Sequence, residues 1–261
     1  MLKWQIFSGV LLFGCSVGLA PAGSQASDTQ STENALPALA CRFETHVRPH
    51  GEQSRNQTRE WYLWRQPDLV EMRDADGKSG QIWRRDKNGQ VSYQRVFHAA
   101  KRIIEYYPGD LRALQSYPEW QKLAGIIDPA WLGSFVIAKD EVTILNRQAR
   151  RYTGQVDGQE FDVLWLEQEQ IPARVRRKNK EYEEVVELKE IHSPHEAPWP
   201  RNETVGYELL DYADLGDKES DPFVRTFLHG GGVAGGAGRR TELRAAVGGD
   251  GGLSQTRAPS E

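Results

Sequence analysis

Arg59-Glu-Trp-Tyr-Leu-Trp-Arg65, stopped by Gln66-Pro67-Asp68, decides how the rest of the chain reads. Tryptophan, tyrosine and leucine suit a pleated, half-buried surface, so this run ended by a proline turn reads as a strand. Upstream, residues 41–48 are strand-like until Pro49-His50-Gly51 breaks them. Downstream, 69–73 lead into Asp74-Ala75-Asp76-Gly77. Residues 81–86 and 90–97 flank Lys87-Asn88-Gly89, whose Asn-Gly pair is a strong hairpin signal. Residues 102–107 then reach Pro108-Gly109. Parallel strands need long crossovers, and these connections are short, so the pattern predicts an antiparallel meander.

The periodicity changes after Pro108-Gly109. Asp110 can cap a short helix through Leu114, and Pro118 opens 119–127, where Trp120, Leu123, Ile126 and Ile127 share a helical face. Asp128-Pro129 starts a third helix over 130–135. Strands resume at 141–146 and 151–156, with Asp157-Gly158 as a second hairpin turn. In 159–167, Phe161, Val163 and Trp165 alternate with Glu160, Asp162 and Leu164. Residues 172–177 and 182–191 flank another turn, and 207–212 form a last strand candidate. Asp221 caps a final helix over 223–228. Strands interrupted by one helical insertion predict an α+β domain built on a strongly curved antiparallel sheet.

The N-terminus reads as an export leader. Lys3 precedes an apolar run from Trp4 to Gly18, followed by Ala20-Pro21-Ala22 and Ser24-Gln25-Ala26 as cleavage signatures. The run is short of the about 20 apolar residues that span a bilayer. The expected organisation is a signal peptide at 1–26, a flexible linker at 27–37, one sheet domain at 38–229 and a disordered glycine-rich tail at 230–261. Leu12-Phe13-Gly14-Cys15 also resembles a lipobox. Two fates stay open: a soluble periplasmic protein, or an outer-membrane lipoprotein anchored through Cys15.

A net charge of −4 over 261 residues leaves no basic footprint for nucleic acid. Once the leader is removed Cys41 is the one remaining cysteine, which excludes an internal disulfide and predicts a buried thiol. Eight Trp, nine Tyr and eight Phe can build a large core or line a pocket for an apolar guest. His46 with His50, and His192 with His195, are the histidine pairs; prolines break the helix that such spacings need, so no metal is expected. The acids Asp211, Asp214, Asp217, Glu219 and Asp221 lack the spacing of a calcium loop. No nucleophile elbow, phosphate loop or dinucleotide fingerprint occurs, so neither catalysis nor a cofactor is expected. Arg174, Arg176, Arg177, Lys178 and Lys180 gather on one predicted hairpin, either as a solvated face or as a docking site for an acidic partner.

The run Trp61-Tyr-Leu-Trp-Arg-Gln-Pro-Asp68, then Gln81-Ile-Trp-Arg-Arg-Asp86, Tyr152-Thr-Gly-Gln-Val-Asp-Gly158 and the return at Ile171-Pro172, resembles the LolA/LolB-like periplasmic lipoprotein-carrier superfamily. That pattern often has Arg-Pro at the end of the early strand, where this chain has Gln66-Pro67. The resemblance implies an incomplete barrel with an apolar concave face and helices as its lid. It places Trp120, Leu123, Ile127, Trp131 and Phe135 on the lid side, and Trp61, Leu63, Trp83, Phe161, Val163 and Trp165 on the sheet side. The same residues could equally form a filled core. Two functions follow: a monomeric envelope protein holding a hydrophobic ligand, lipid or lipoprotein tail, or an interaction or sensor module that docks an envelope protein partner.

Overall fold

The computed structural model describes residues 36–51 and 55–229. The expected leader with Cys15, most of the expected linker and the glycine-rich tail lie outside them. The first meander comprises β1 (Leu39–Pro49), β2 (Gln57–Gln66), β3 (Leu69–Asp74), β4 (Ser79–Arg85), β5 (Val91–Phe97) and β6 (Arg102–Tyr106). Three short helices follow: α1 (Pro108–Ala113), α2 (Trp120–Gly125) and α3 (Pro129–Ser134). The second meander is β7 (Val136–Ile144), β8 (Arg147–Val156), β9 (Gln159–Leu166), β10 (Ile171–Lys178) and β11 (Tyr182–His192). β12 (Glu208–Asp211) and α4 (Pro222–His229) complete it.

All twelve strands join one open sheet in the order β12-β6-β5-β4-β3-β2-β1-β11-β10-β9-β8-β7. β1 pairs antiparallel with both β2 and β11, fusing the two meanders at the centre. Among the described residues, β12 alone runs parallel to its neighbour, β6. This order fixes where the helices go. They leave β6, close to one edge, and enter β7 at the other, so the insertion has to cross a face of the sheet.

Strand alternation sets the core. In β1, Cys41 and Phe43 are fully buried, while Arg42 pairs with Glu190 and Glu60. Each fully buried Leu, Val or Phe contributes about 1.5–3 kcal/mol of transfer free energy. β9 differs from the expected alternation, because residues 161–166 are all buried. Phe161, Val163 and Trp165 join one apolar cluster, and Leu164 and Leu166 join another.

Several expected boundaries move for identifiable reasons. The first helix starts at Pro108, which supplies a preset φ at the first turn; Asp110 lies inside it and accepts the Tyr107 N–H at 2.8 Å. β7 begins at Val136, so Phe135 is extended and not helical. β7 and β8 meet at Leu145-Asn146, both at positive φ, a two-residue hairpin hidden by a leucine in a turn position. Asp157-Gly158 forms the second such turn, as expected. The irregular chain between β11 and β12 is pinned to the sheet by Asn202, whose amide donates to Met72 O at 3.0 Å and whose carbonyl meets His98 Nε2 at 3.0 Å.

Candidate functional site

The eleven residues expected to line a cavity fall into two neighbouring clusters. The larger holds Leu63, Trp83, Trp120 and Leu123, with Trp61 packed against it. The smaller holds Ile127, Phe135, Phe161, Val163 and Trp165, with Trp131 packed against it. Trp61 stacks on Phe43 at 4.7 Å and donates its indole N–H to Thr45 Oγ1 at 2.9 Å. Trp83 stacks on Tyr93 at 4.1 Å, and Trp131 lies 5.1 Å from Phe161. Trp131 of α3 meets Phe161 of β9, and Leu63, Trp83 and Val163 are fully buried beneath, so the cover packs on the sheet in this conformation.

Phe135 fits against β8 only because residue 154 is glycine; a Cβ there would lie 2.1 Å from the ring. Helix α2 stops at Gly125, short of the expected face. Ile126 sits at φ +70 and turns the chain, so Ile127 is directed into the smaller cluster while Leu123 stays in the larger.

Between cover and sheet lies a residue that strand parity could have revealed. Arg65 shares the face of Trp61 and Leu63 on β2 and is fully buried. Its Nε donates to Pro37 O at 3.0 Å, and Nη1 donates to Ala124 O at 3.0 Å and Gln170 O at 2.8 Å. Nη2 donates to Glu169 O. One guanidinium therefore joins the start of β1, helix α2 and the β9–β10 turn. In a flat sheet β10 would stand three strand spacings, about 14 Å, from β2. The sheet has to curl for this contact to form. The arginine stands one position before Gln66-Pro67, which is why the expected Arg-Pro spacing did not mark it.

A buried unpaired charge costs several kcal/mol, and only hydrogen bonds to all sides make it tolerable. Burial lowers the Arg65 pKa to about 10, with Cys41 and Glu169 acting in the opposite sense, so the group is charged at neutral pH. Cys41 is buried as expected, and burial pushes its thiol up to about 12.

The predicted basic hairpin is largely internally paired. Arg174 Nη2 lies 3.4 Å from Asp162, Arg177 Nη2 lies 2.6 Å from Glu184, and Arg176 bonds Glu183. Arg151 adds a 2.7 Å pair to Asp162. Lys178 ends β10, and Lys180 lies in the turn before β11. His192 pairs with Glu190 at 3.3 Å, while His195 is exposed. Among the described residues, no group of three His, Cys, Asp or Glu side chains is placed to hold a metal, and no helix is long and apolar enough to cross a membrane.

No family model matches the chain, and no curated protein matches it. Among solved structures, PNGF-II aligns over 69% of this chain and 33% of its own, at 13% identity and a TM-score of 0.37. The LolA superfamily protein NE2245 from Nitrosomonas europaea aligns over 62% of this chain and 87% of its own, at 7% identity and a TM-score of 0.31. The chain bears a distant LolA-like resemblance. MucB matches at 13% identity over 62% of this chain and 55% of its own, with a TM-score of 0.31. The chain thus spans about a third of the PNGF-II structure and about half of MucB.

Proposed function

We propose that this chain is an exported, non-catalytic envelope protein that takes the acyl chain of a lipid or lipoprotein between the sheet and the cover α1–α3. The observation that carries the reading is the construction of the cover. The apolar face of a twelve-stranded sheet is crossed by three helices of six residues each, shorter than helices that are stable alone. They hold through side chains, chiefly Trp120, Leu123, Ile127 and Trp131, and through Arg65. Lifting them exposes aromatic and aliphatic walls without breaking a strand pairing.

Burial of an acyl chain there is driven by removal of apolar area from water, about 25 cal/mol per Å². Arg65 has an orienting role: it returns the cover to one closed position. A fatty acid brominated along its chain tests this. Contact with the bromine should quench the emission of the wall tryptophans saturably, and a short-chain analogue should fail to do so. Absence of saturable quenching at any chain length would remove the reading.

A second reading, docking of an envelope protein partner, has one observation in its favour. Edge strand β7 presents Val136 at 70% and Ile137 at 52% exposure, beside backbone groups on its unpaired side.

A further inference from the structure

Ile126 ends α2 at φ +70 and ψ −32. A β-branched side chain at positive φ crowds its own backbone, which makes this residue a conformational outlier. Gln115, at φ +54 on the other side of α2, is a different case. Its N–H reaches Arg112 O at 2.9 Å, and the Ser116 N–H reaches Leu111 O at 2.8 Å. Those are the paired bonds of a Schellman ending, which stabilise a left-handed residue. The Ile126 N–H approaches Leu123 O at 3.5 Å, the far limit of a hydrogen bond.

The outlier persists because both flanks are anchored, and in different places. Leu123 and Ala124 are buried in the larger cluster, and the Ala124 carbonyl is held by Arg65. Ile127 is buried in the smaller cluster, and Asp128 caps α3 by accepting the Ala130 N–H at 2.9 Å. The chain passes from one cluster to the other just after Ile126, which itself packs against the larger, so the mismatch is made up at Gly125 and Ile126. Gly125 could have absorbed it more cheaply, but the positive φ falls on the isoleucine.

We propose that Ile126 is a strained joint that opposes the closed position of α2, so that the cover is a two-state element balanced between the Arg65 bonds and release of this residue. Lifting Leu123 and Ala124 from the larger cluster frees Ile126 to return to an ordinary conformation. Strain held at the moving element in this way lowers the cost of opening without weakening the sheet. The proposal rests on reading α1–α3 as a movable cover and is indifferent to the guest.

The test compares Ile126→Gly with Ile126→Ala in the full chain. Both delete the isoleucine packing, and only glycine removes the cost of positive φ. Hydrogen exchange of amides 120–126 is read relative to β1 amides, which report global unfolding. The proposal predicts that the glycine variant exchanges about five- to tenfold more slowly in α2 than the alanine variant. Equal rates, or slower exchange in the alanine variant, would overturn it. Should alanine prevent folding, Ile126→Val takes its place in the comparison with Ile126→Gly, since valine keeps the cost of a branched side chain at positive φ. If α2 in the unmodified protein exchanges only as fast as β1, the cover does not lift and the proposed function falls with the joint. If α2 opens locally but the variant pairs behave alike, the strained joint alone is wrong.

Discussion

Arg65 Nη1 lies 3.0 Å from the carbonyl oxygen of Ala124, so a strand of the first meander is tied directly to the helix that crosses the sheet. The same guanidinium reaches the β9–β10 turn at Gln170, closing the curl of the sheet at one end. Replacing it by methionine keeps the apolar stem and leaves four carbonyls without their donor. Arg65→Met is expected to lose about 2–4 kcal/mol of stability, measured by chemical denaturation. Arg65→Lys should recover part of the loss, because an ammonium cannot reach both the helix and the turn in a fork. Equal stability of all three proteins would show that the bonds contribute nothing net.

Cys41 sets an alkaline limit. Burial raises its thiol to about 12, above its ordinary value of 9.0, so the folded state holds a proton that the unfolded state releases. Its contribution to stability is complete below pH 9 and declines as pH rises from there toward 12, by about 1.4 kcal/mol per unit at most. The difference in stability between the native protein and Cys41→Ala should be constant from about pH 8 to 9 and shift against the native protein as pH rises from about 9 to 10.5. In the folded state at pH 8 the thiol should resist alkylation and react once denaturant is added.

Asp162 acts on the acidic side. Burial opposes its ionisation, but the Arg151 hydrogen bond and the charges of Arg151, Arg174 and Arg176 outweigh burial and hold its carboxyl below the ordinary value of 3.8. Its stabilisation is therefore present above pH 4 and is lost as pH falls through the lowered pKa. Asp162→Asn should be less stable than the native protein at pH 7, with the gap closing toward pH 2. A gap that is independent of pH would assign the loss to packing instead of charge.

Two glycines are required by space and not by backbone conformation. A Cβ at Gly154 would stand 2.1 Å from the Phe135 ring, and one at Gly80 would stand 1.9 Å from Asn202 Oδ1. Gly154→Ala should displace the end of the cover, costing about 1–3 kcal/mol and raising binding of a hydrophobic dye. Gly80→Ala should instead release the 193–207 segment, seen as new proteolytic cleavage there with α2 exchange unchanged. Reversal of these two phenotypes would contradict the packing described.

Strand ends were legible where turn chemistry was strong: Pro67-Asp68, Asn88-Gly89 and Asp157-Gly158 each end a strand near the expected place. That signal failed at Leu145-Asn146, where tertiary pairing of β7 with β8 puts a leucine into a left-handed turn. Helix periodicity grouped Trp120, Leu123, Ile126 and Ile127; the first three do pack in the larger cluster, but local spacing cannot register that the chain passes into the smaller one at Ile127. Alternation put Phe161, Val163 and Trp165 on one side of β9, where they share an apolar cluster. Arg65 was overlooked although it stands in phase with Trp61 and Leu63, because an arginine at a strand end looks solvated until the curled sheet brings the β9–β10 turn over it.

Native and denaturing mass spectra of the full chain, expressed with residues 1–26 in place and purified from a bacterial periplasm, test the central claim most directly. The account predicts a discrete added mass that denaturation removes, that extracts into organic solvent, and whose loss follows Arg65→Met. A bare polypeptide mass that stays bare after incubation with long-chain lipids and acylated peptides would contradict it.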